Sequence, residues 1–131
     1  MRKGILILSA FFLAGCPGPG DRFIEQKTAS VRLQANHVCV VSPLNQNEKL
    51  LSFRVFSEDD KPVMHFFNDG GLYVQKGDCL PILNYSFKKD VRYAVSYNVT
   101  NEKTANHFIL LSNFKITSDA RGKDAITFLG K

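Results

Sequence analysis

The chain has 131 residues, of which 44% are hydrophobic and 22% are charged, and its formal net charge is +5. This length suits one domain, and the composition is too apolar for a disordered chain. Together they exclude a large multidomain enzyme, a collagen-like chain, an acidic tail protein and a protein that crosses a membrane many times.

The N-terminal segment has the order of a bacterial export signal. A short basic start is followed by an uncharged apolar run over residues 4–12 and by small residues before Cys16. The run is shorter than the roughly 20 residues of a membrane-crossing helix. A buried strand or core helix is the alternative, but neither accounts for this order. Residues 13–16, LAGC, resemble a bacterial lipobox, which implies cleavage of a signal peptide over residues 1–15 and a lipidated Cys16.

The residues after Cys16 predict the location and layout of the rest of the chain. Pro17 stands where an Asp usually retains bacterial lipoproteins at the inner membrane. The lipobox resemblance therefore implies an outer-membrane lipoprotein that faces the periplasm, anchored in the lipid bilayer by its acylated Cys16. Residues 16–27 contain a Pro-Gly repeat and are expected to form a tether, with the folded domain over residues 28–131.

Removing residues 1–15 leaves two cysteines, Cys39 and Cys79, besides Cys16. In the oxidising periplasm we expect these two to form a disulfide, which should stabilise the fold by about 4 kcal/mol in the chain-entropy model. Two buried free thiols are the alternative. The remaining basic residues are scattered and form no patch with interleaved aromatics, so nucleic acid is not an expected partner.

The next segments read as short strands. Two β-prone runs, Thr28–Leu33 and His37–Val41, predict a hairpin with a turn at Ala35 and Asn36. Apolar and polar residues alternate over residues 51–55, which predicts a half-buried strand. A second hairpin is predicted around the Gly-bearing turn at residues 68–71, between strands at 63–67 and 72–75.

The last third of the chain has the clearest alternation, over Val91–Val99 and Phe108–Ile116, and further short strands are predicted at 79–83 and 125–129. The pattern predicts an all-β fold, an antiparallel β-sandwich of about 7–9 short strands, with a closed barrel as the alternative. Residues 87–95 resemble the turn into the Tyr-bearing strand of immunoglobulin-like sandwiches, which implies an antiparallel immunoglobulin-like β-sandwich. That resemblance implies a backbone hydrogen bond to the Tyr93 hydroxyl; otherwise Tyr93 is a core aromatic.

No segment carries a catalytic motif, and His37, His65 and His107 lack the spacing of metal ligands. We therefore expect a protein that is not an enzyme, with no catalytic residue, no metal site and no cofactor.

A partner-binding surface is predicted from an aromatic pair and an acidic run. Phe66 and Phe67 are adjacent, so on a strand they point to opposite faces. One of them is expected to be exposed beside Glu58, Asp59 and Asp60, as an interface anchor. The alternative is that both rings are buried, one of them beneath a loop.

Most of the chain resembles a family of small enterobacterial lipoproteins named type VI secretion immunity periplasmic lipoproteins, which contain a domain of unknown function. The resemblance is carried by residues 13–22, 38–40, 76–81 and 85–87. It implies a binding module that neutralises a periplasm-active secreted toxin. A structural or accessory lipoprotein of an envelope or secretion complex is the alternative.

Overall fold

A computed structural model describes residues 24–129, and this part of the chain is all-β, as predicted. Its strands are β1 (Glu25–Thr28), β2 (Val31–Gln34), β3 (His37–Val40), β4 (Glu48–Ser57), β5 (Val63–Phe66), β6 (Arg92–Asn101), β7 (His107–Ser118) and β8 (Asp124–Phe128). Residues 24–129 contain no helix that is long and apolar enough to cross a membrane. The predicted signal peptide, Cys16 and the Pro-Gly repeat lie outside the described residues.

Six strands form one large sheet in the order β1-β7-β6-β4-β5, with β8 also paired to β7, and β2 and β3 form a separate two-stranded sheet. β1 and β8 share one edge of β7: β1 pairs with residues 108–111 and β8 with residues 114–118. Since β1 runs parallel to β7 and the other pairs are antiparallel, the large sheet is mixed and not purely antiparallel as predicted.

The segment predicted as one strand over Thr28–Leu33 is divided between the two sheets. The backbone N–H of Ala29 donates to the carbonyl of Leu111 in the large sheet, whereas the carbonyl of Ser30 accepts from Val41 beside the small sheet. The chain therefore passes from the large sheet to the small sheet between the consecutive residues Ala29 and Ser30. β1 starts at Glu25, inside the segment assigned above to the tether.

The hairpin of β2 and β3 is confirmed. Its two turn residues, Ala35 and Asn36, have φ values of 50° and 65°. Positive φ at both central residues is the geometry of a type I′ turn, whose twist matches that of the flanking strands.

The hairpin predicted around residues 68–71 is not formed, because both flanking segments pair with β4. β5 lies antiparallel to the second half of β4, and Leu72 bridges Leu50 near its start. Between them, the register of β4 against β6 shifts at Leu51. Residues 68–71 bulge past this irregularity, where a Cβ on Gly71 would lie 2.9 Å from the carbonyl oxygen of Leu50.

The core lies between one face of the large sheet and the β2–β3 hairpin. Alternate residues of β6 and β7 are buried, as their patterns predict, and the hairpin supplies its own buried apolar residues. Each fully buried Val, Leu or Phe contributes about 1.5–3 kcal/mol. The buried core residues of these elements are Val31, Val38, Val40, Tyr93, Val95, Tyr97, Val99, Phe108, Leu110, Phe114 and Ile116.

The predicted disulfide is present and joins β3 to the segment after residue 78. Cys39 and Cys79 are bonded across a sequence separation of 40. Residues 79–83 form no strand of their own: Cys79 makes an isolated bridge to Val41, and the buried Tyr97 hydroxyl donates to the carbonyl of Pro81 at 2.8 Å. The disulfide and this hydrogen bond hold the segment against the core.

Candidate protein interface

The second face of the large sheet points away from the hairpin and the core. Strand register places Arg54 opposite Met64 on one side and Ser96 on the other, and Ser96 opposite Leu111. We call the side chains on this side of β4–β7 the outward face. It comprises Lys49, Ser52, Arg54, Phe56, Met64, Phe66, Arg92, Ala94, Ser96, Asn98, Thr100, His107, Ile109, Leu111, Asn113, Lys115 and Thr117.

Large apolar side chains are exposed on the outward face around one arginine. Phe56, Met64 and Phe66 are 42%, 43% and 64% exposed. The guanidinium of Arg54 lies over the Phe56 ring at 5.5 Å from its centroid, and its Nη2 contacts the Sδ of Met64 at 3.4 Å. Aromatic residues, Met and Arg are the types enriched in protein interfaces, so this cluster has the composition of a binding surface.

The charged side chains of the outward face are all basic, and carboxylates border it at its ends. It carries Lys49, Arg54, Arg92 and Lys115, and no Asp or Glu of β4–β7 belongs to the set. Two carboxylates lie at its ends: Glu58, just after β4, accepts the backbone N–H of Arg92 at 3.0 Å, and Glu102, just after β6, pairs with Lys49 at 3.1 Å. The arrangement therefore favours a partner surface that combines apolar and acidic groups.

A hollow of about 400 Å³ opens on this side of the sheet between Ile24 and Phe66. Its lining includes His107 and the Ser52–Asn98 pair, in which the Asn98 amide donates to the Ser52 hydroxyl at 2.7 Å. The rest of the lining is apolar and includes Ile24, which is 57% exposed, and Phe66. Such a depression suits one apolar anchor residue of a partner.

The structure separates the two parts of the predicted partner-binding surface. Phe66 is exposed on the outward face, whereas Phe67 is half-buried against the core and stacks edge-on with His65 at 5.5 Å. Glu58, Asp59 and Asp60 are exposed, but Phe66 pairs with Ser52. The five residues 53–57 of β4 therefore separate Phe66 from the acidic run, a distance of six residue steps or about 20 Å at the rise of a strand.

Three members of the cluster were missed from the sequence, namely Arg54, Phe56 and Met64. The alternation on β4 indicated that Arg54 lies on the face away from the buried residues, so its exposure could have been predicted. It did not say that a neighbouring strand would set Met64 beside it, because that pairing is not local.

A second hollow, of about 620 Å³, is lined mostly by residues of polar types, among them Asn45, Glu48 and Glu102. In its wall Tyr73 donates a hydrogen bond to Glu102, which also pairs with Lys49 at 3.1 Å. The hydrogen bond from Tyr73, followed by Lys49, lowers the pKa of Glu102, and the same bond raises the pKa of Tyr73. These groups satisfy one another and join the β6–β7 turn to β4 and the loop after residue 71.

Within residues 24–129, no group of three or more His, Cys, Asp or Glu side chains is placed to hold a metal ion. His37 lies on β3, His65 on β5 and His107 at the start of β7. The structure does not bring these three side chains together.

Comparison with known proteins places the domain in a family. No curated protein and no solved structure matches the chain. The family description Domain of unknown function (DUF7480) matches residues 26–119, a span that contains both disulfide cysteines and the whole outward face. Because this span covers well over half of the 131 residues, the chain belongs to the DUF7480 family.

Proposed function

We propose that this protein is a lipid-anchored binding module of the bacterial outer membrane that faces the periplasm and neutralises a type VI secreted toxin as an immunity protein. The observation that carries the proposal is the outward face, with its exposed Phe56, Met64 and Phe66 around Arg54. An inhibitor needs such a surface and needs no catalytic group.

Two further features support parts of the proposal. The Cys39–Cys79 disulfide is typical of proteins that fold in an oxidising compartment such as the periplasm. The resemblance of the chain to immunity lipoproteins and the lipobox-like residues 13–16 support the anchor and the class of partner.

We also propose that the domain is an immunoglobulin-like β-sandwich. The β2–β3 hairpin and the inner face of the large sheet share one core. The Tyr93 hydroxyl accepts the backbone N–H of Lys88 at 2.6 Å, which is the hydrogen bond of a tyrosine corner in such sandwiches.

The test is bacterial competition in the native host. A strain lacking the gene is grown as prey against the parental strain, with the type VI apparatus of the attacker either intact or disabled. We expect prey recovery to fall at least about tenfold only when the apparatus is intact, and the wild-type gene to restore recovery.

Two variants connect this result to the outward face. Phe66→Glu places a charge at the most exposed aromatic of the cluster and should fail to restore recovery. Phe128→Glu changes another exposed Phe, 50% exposed on β8 opposite the buried Phe114, and should restore it. Equal recovery of the deletion and parental strains would contradict the immunity proposal. If cells that lack the secretion apparatus still require the protein, the envelope-complex alternative would be favoured.

A further inference from the structure

β5 is the terminal strand of the large sheet at the side opposite β1 and β8. All four of its residues are exposed, and within residues 24–129 no strand pairs with its second edge. An exposed edge of this kind presents backbone donors and acceptors to another chain.

The register shows which backbone groups lie on that edge. The N–H of Phe67 donates to the carbonyl of Leu51 on β4. Backbone groups alternate in direction along an antiparallel strand, so those of Val63 and His65 also face β4. The N–H and C=O groups of Met64 and Phe66 therefore point away from the sheet.

The side chains of the same two residues belong to the outward face. Arg54 reaches from β4 to the Sδ of Met64, so its charge lies over β5 beside the edge. A single stretch of chain thus presents unpaired backbone groups, two exposed apolar side chains and a cation. These are the elements used when an extended peptide is added to a sheet as a new strand.

We propose that β5 binds its partner by strand addition, and that the added segment is an extended one whose every second residue lies on the outward face and is in turn apolar and acidic. This inference rests on the proposed binding function and names the mode and chemistry of that binding. The backbone groups of Met64 and Phe66 pair with the added strand, its apolar side chains pack beside these two residues, and its carboxylates lie near Arg54. Charge argues against a second copy as the occupant, because two β5 edges would bring two Arg54 side chains together.

Amide hydrogen exchange of the full-length protein tests the free edge and its occupation. Without a ligand, the amides of Met64 and Phe66 should exchange faster than that of His65, which is bonded to β4. The probe is a capped peptide of about ten residues, the length of a long strand, in which every second residue is in turn Glu and Val and the residues between them are Thr, so that Glu and Val share one face. We expect it to slow exchange at Met64 and Phe66 by at least about tenfold, and a peptide with Lys in place of Glu to have no such effect.

Two substitutions at one position separate strand addition from simple side-chain contact. Met64→Pro and Met64→Ala both remove the side chain, but only Met64→Pro removes the edge N–H, at a place where Pro is tolerated in a sheet. The Pro variant should bind the Glu–Val peptide at least about tenfold more weakly than the Ala variant. If Met64→Pro unfolds the strand, Arg54→Glu still tests the proposal because it leaves the backbone intact. Arg54→Glu should bind the Lys–Val peptide in preference to the Glu–Val peptide.

Equal binding by the two Met64 variants, protection that avoids Met64 and Phe66, or a free protein that already dimerises through β5 would overturn the inference. If these peptide tests fail while the competition phenotype remains, only the proposed mode of binding is wrong. Loss of the competition phenotype with peptide binding intact would remove the immunity role and leave the edge as a binding site.

Discussion

The backbone N–H of Lys88 donates a hydrogen bond to the hydroxyl of Tyr93, across five residues and a distance of 2.6 Å. The Tyr93 ring is buried and lies 4.9 Å from the Phe87 ring and 5.9 Å from the Phe114 ring, measured between centroids. The contact therefore ties the loop before β6 to the core at the place where that strand begins.

Replacing Tyr93 with Phe should test this corner. Tyr93→Phe keeps the ring and removes the hydroxyl, so we expect the free energy of unfolding to fall by about 1 kcal/mol. Urea unfolding provides the measurement. Lys88→Ala keeps the backbone donor and should change stability by less than about 0.5 kcal/mol; a larger loss in Lys88→Ala than in Tyr93→Phe would contradict the role of the N–H.

The disulfide should supply a measurable share of the stability. Closing a loop of 40 residues contributes about 4 kcal/mol in the chain-entropy model. The double variant Cys39→Ala/Cys79→Ala should lose about that amount in denaturant unfolding. A thiol reductant should destabilise the wild type and leave the double variant unchanged, and an equal response of both proteins would exclude a disulfide contribution.

The neighbouring rings of Phe66 and Phe67 should differ in their effect on stability. Phe66→Ala removes a largely exposed ring, so the free energy of unfolding should change by less than about 0.5 kcal/mol. Phe67→Ala removes a ring that packs against the core and should cost about 2 kcal/mol, less than a fully buried Phe. Urea midpoints of the two variants provide the comparison, and equal losses would mean that Phe66 is not free on the outward face.

The Glu102 carboxylate should give the fold a pH-dependent contribution. Its pKa lies below the ordinary 4.5 in the native state, because Tyr73 and Lys49 stabilise the charged form. The stabilisation is therefore complete above the unfolded pKa and is lost as the pH falls through the lower native pKa. Melting temperatures of the wild type and Glu102→Gln should differ at neutral pH and converge in acid.

Tyr73→Phe provides the control for that prediction, since it removes the main cause of the pKa shift. In this background the pH-dependent part of the difference caused by Glu102→Gln should shrink. A difference that persists unchanged at acid pH would show that charge is not its origin.

The fold was predictable from the sequence where the pattern is local and repeated. The strict alternation of β6 and β7 predicted both strands and their buried faces, and the pair Ala35 and Asn36 marked the first hairpin. β1 was missed because all its residues are exposed, so its sequence shows no alternation of apolar and polar residues. It pairs with only one other strand, β7. The Gly-bearing turn at 68–71 misled because its signal specifies local backbone angles and not the strand that the chain meets next.

The candidate site was predictable only in part, for a related reason. Alternation indicates which side chains share a face, as for Arg54 and Phe56, but not which face a second layer covers. The β2–β3 hairpin covers one side of the large sheet, and that choice depends on contacts among distant residues. Phe66 was identified because adjacent strand residues must diverge, whereas its companions on the outward face came from other strands.

The position of β1 has a consequence for the order in which the domain assembles. The Ser112 hydroxyl donates to the carbonyl of Ala29 at 2.6 Å, across 83 residues, where β1 ends beside β7. A chain that emerges from a ribosome or translocation channel with its N-terminus first exposes this strand early and its docking site late. The segment nearest the membrane anchor of our proposal is therefore among the last to find its place, and until then it is available to chaperones and proteases.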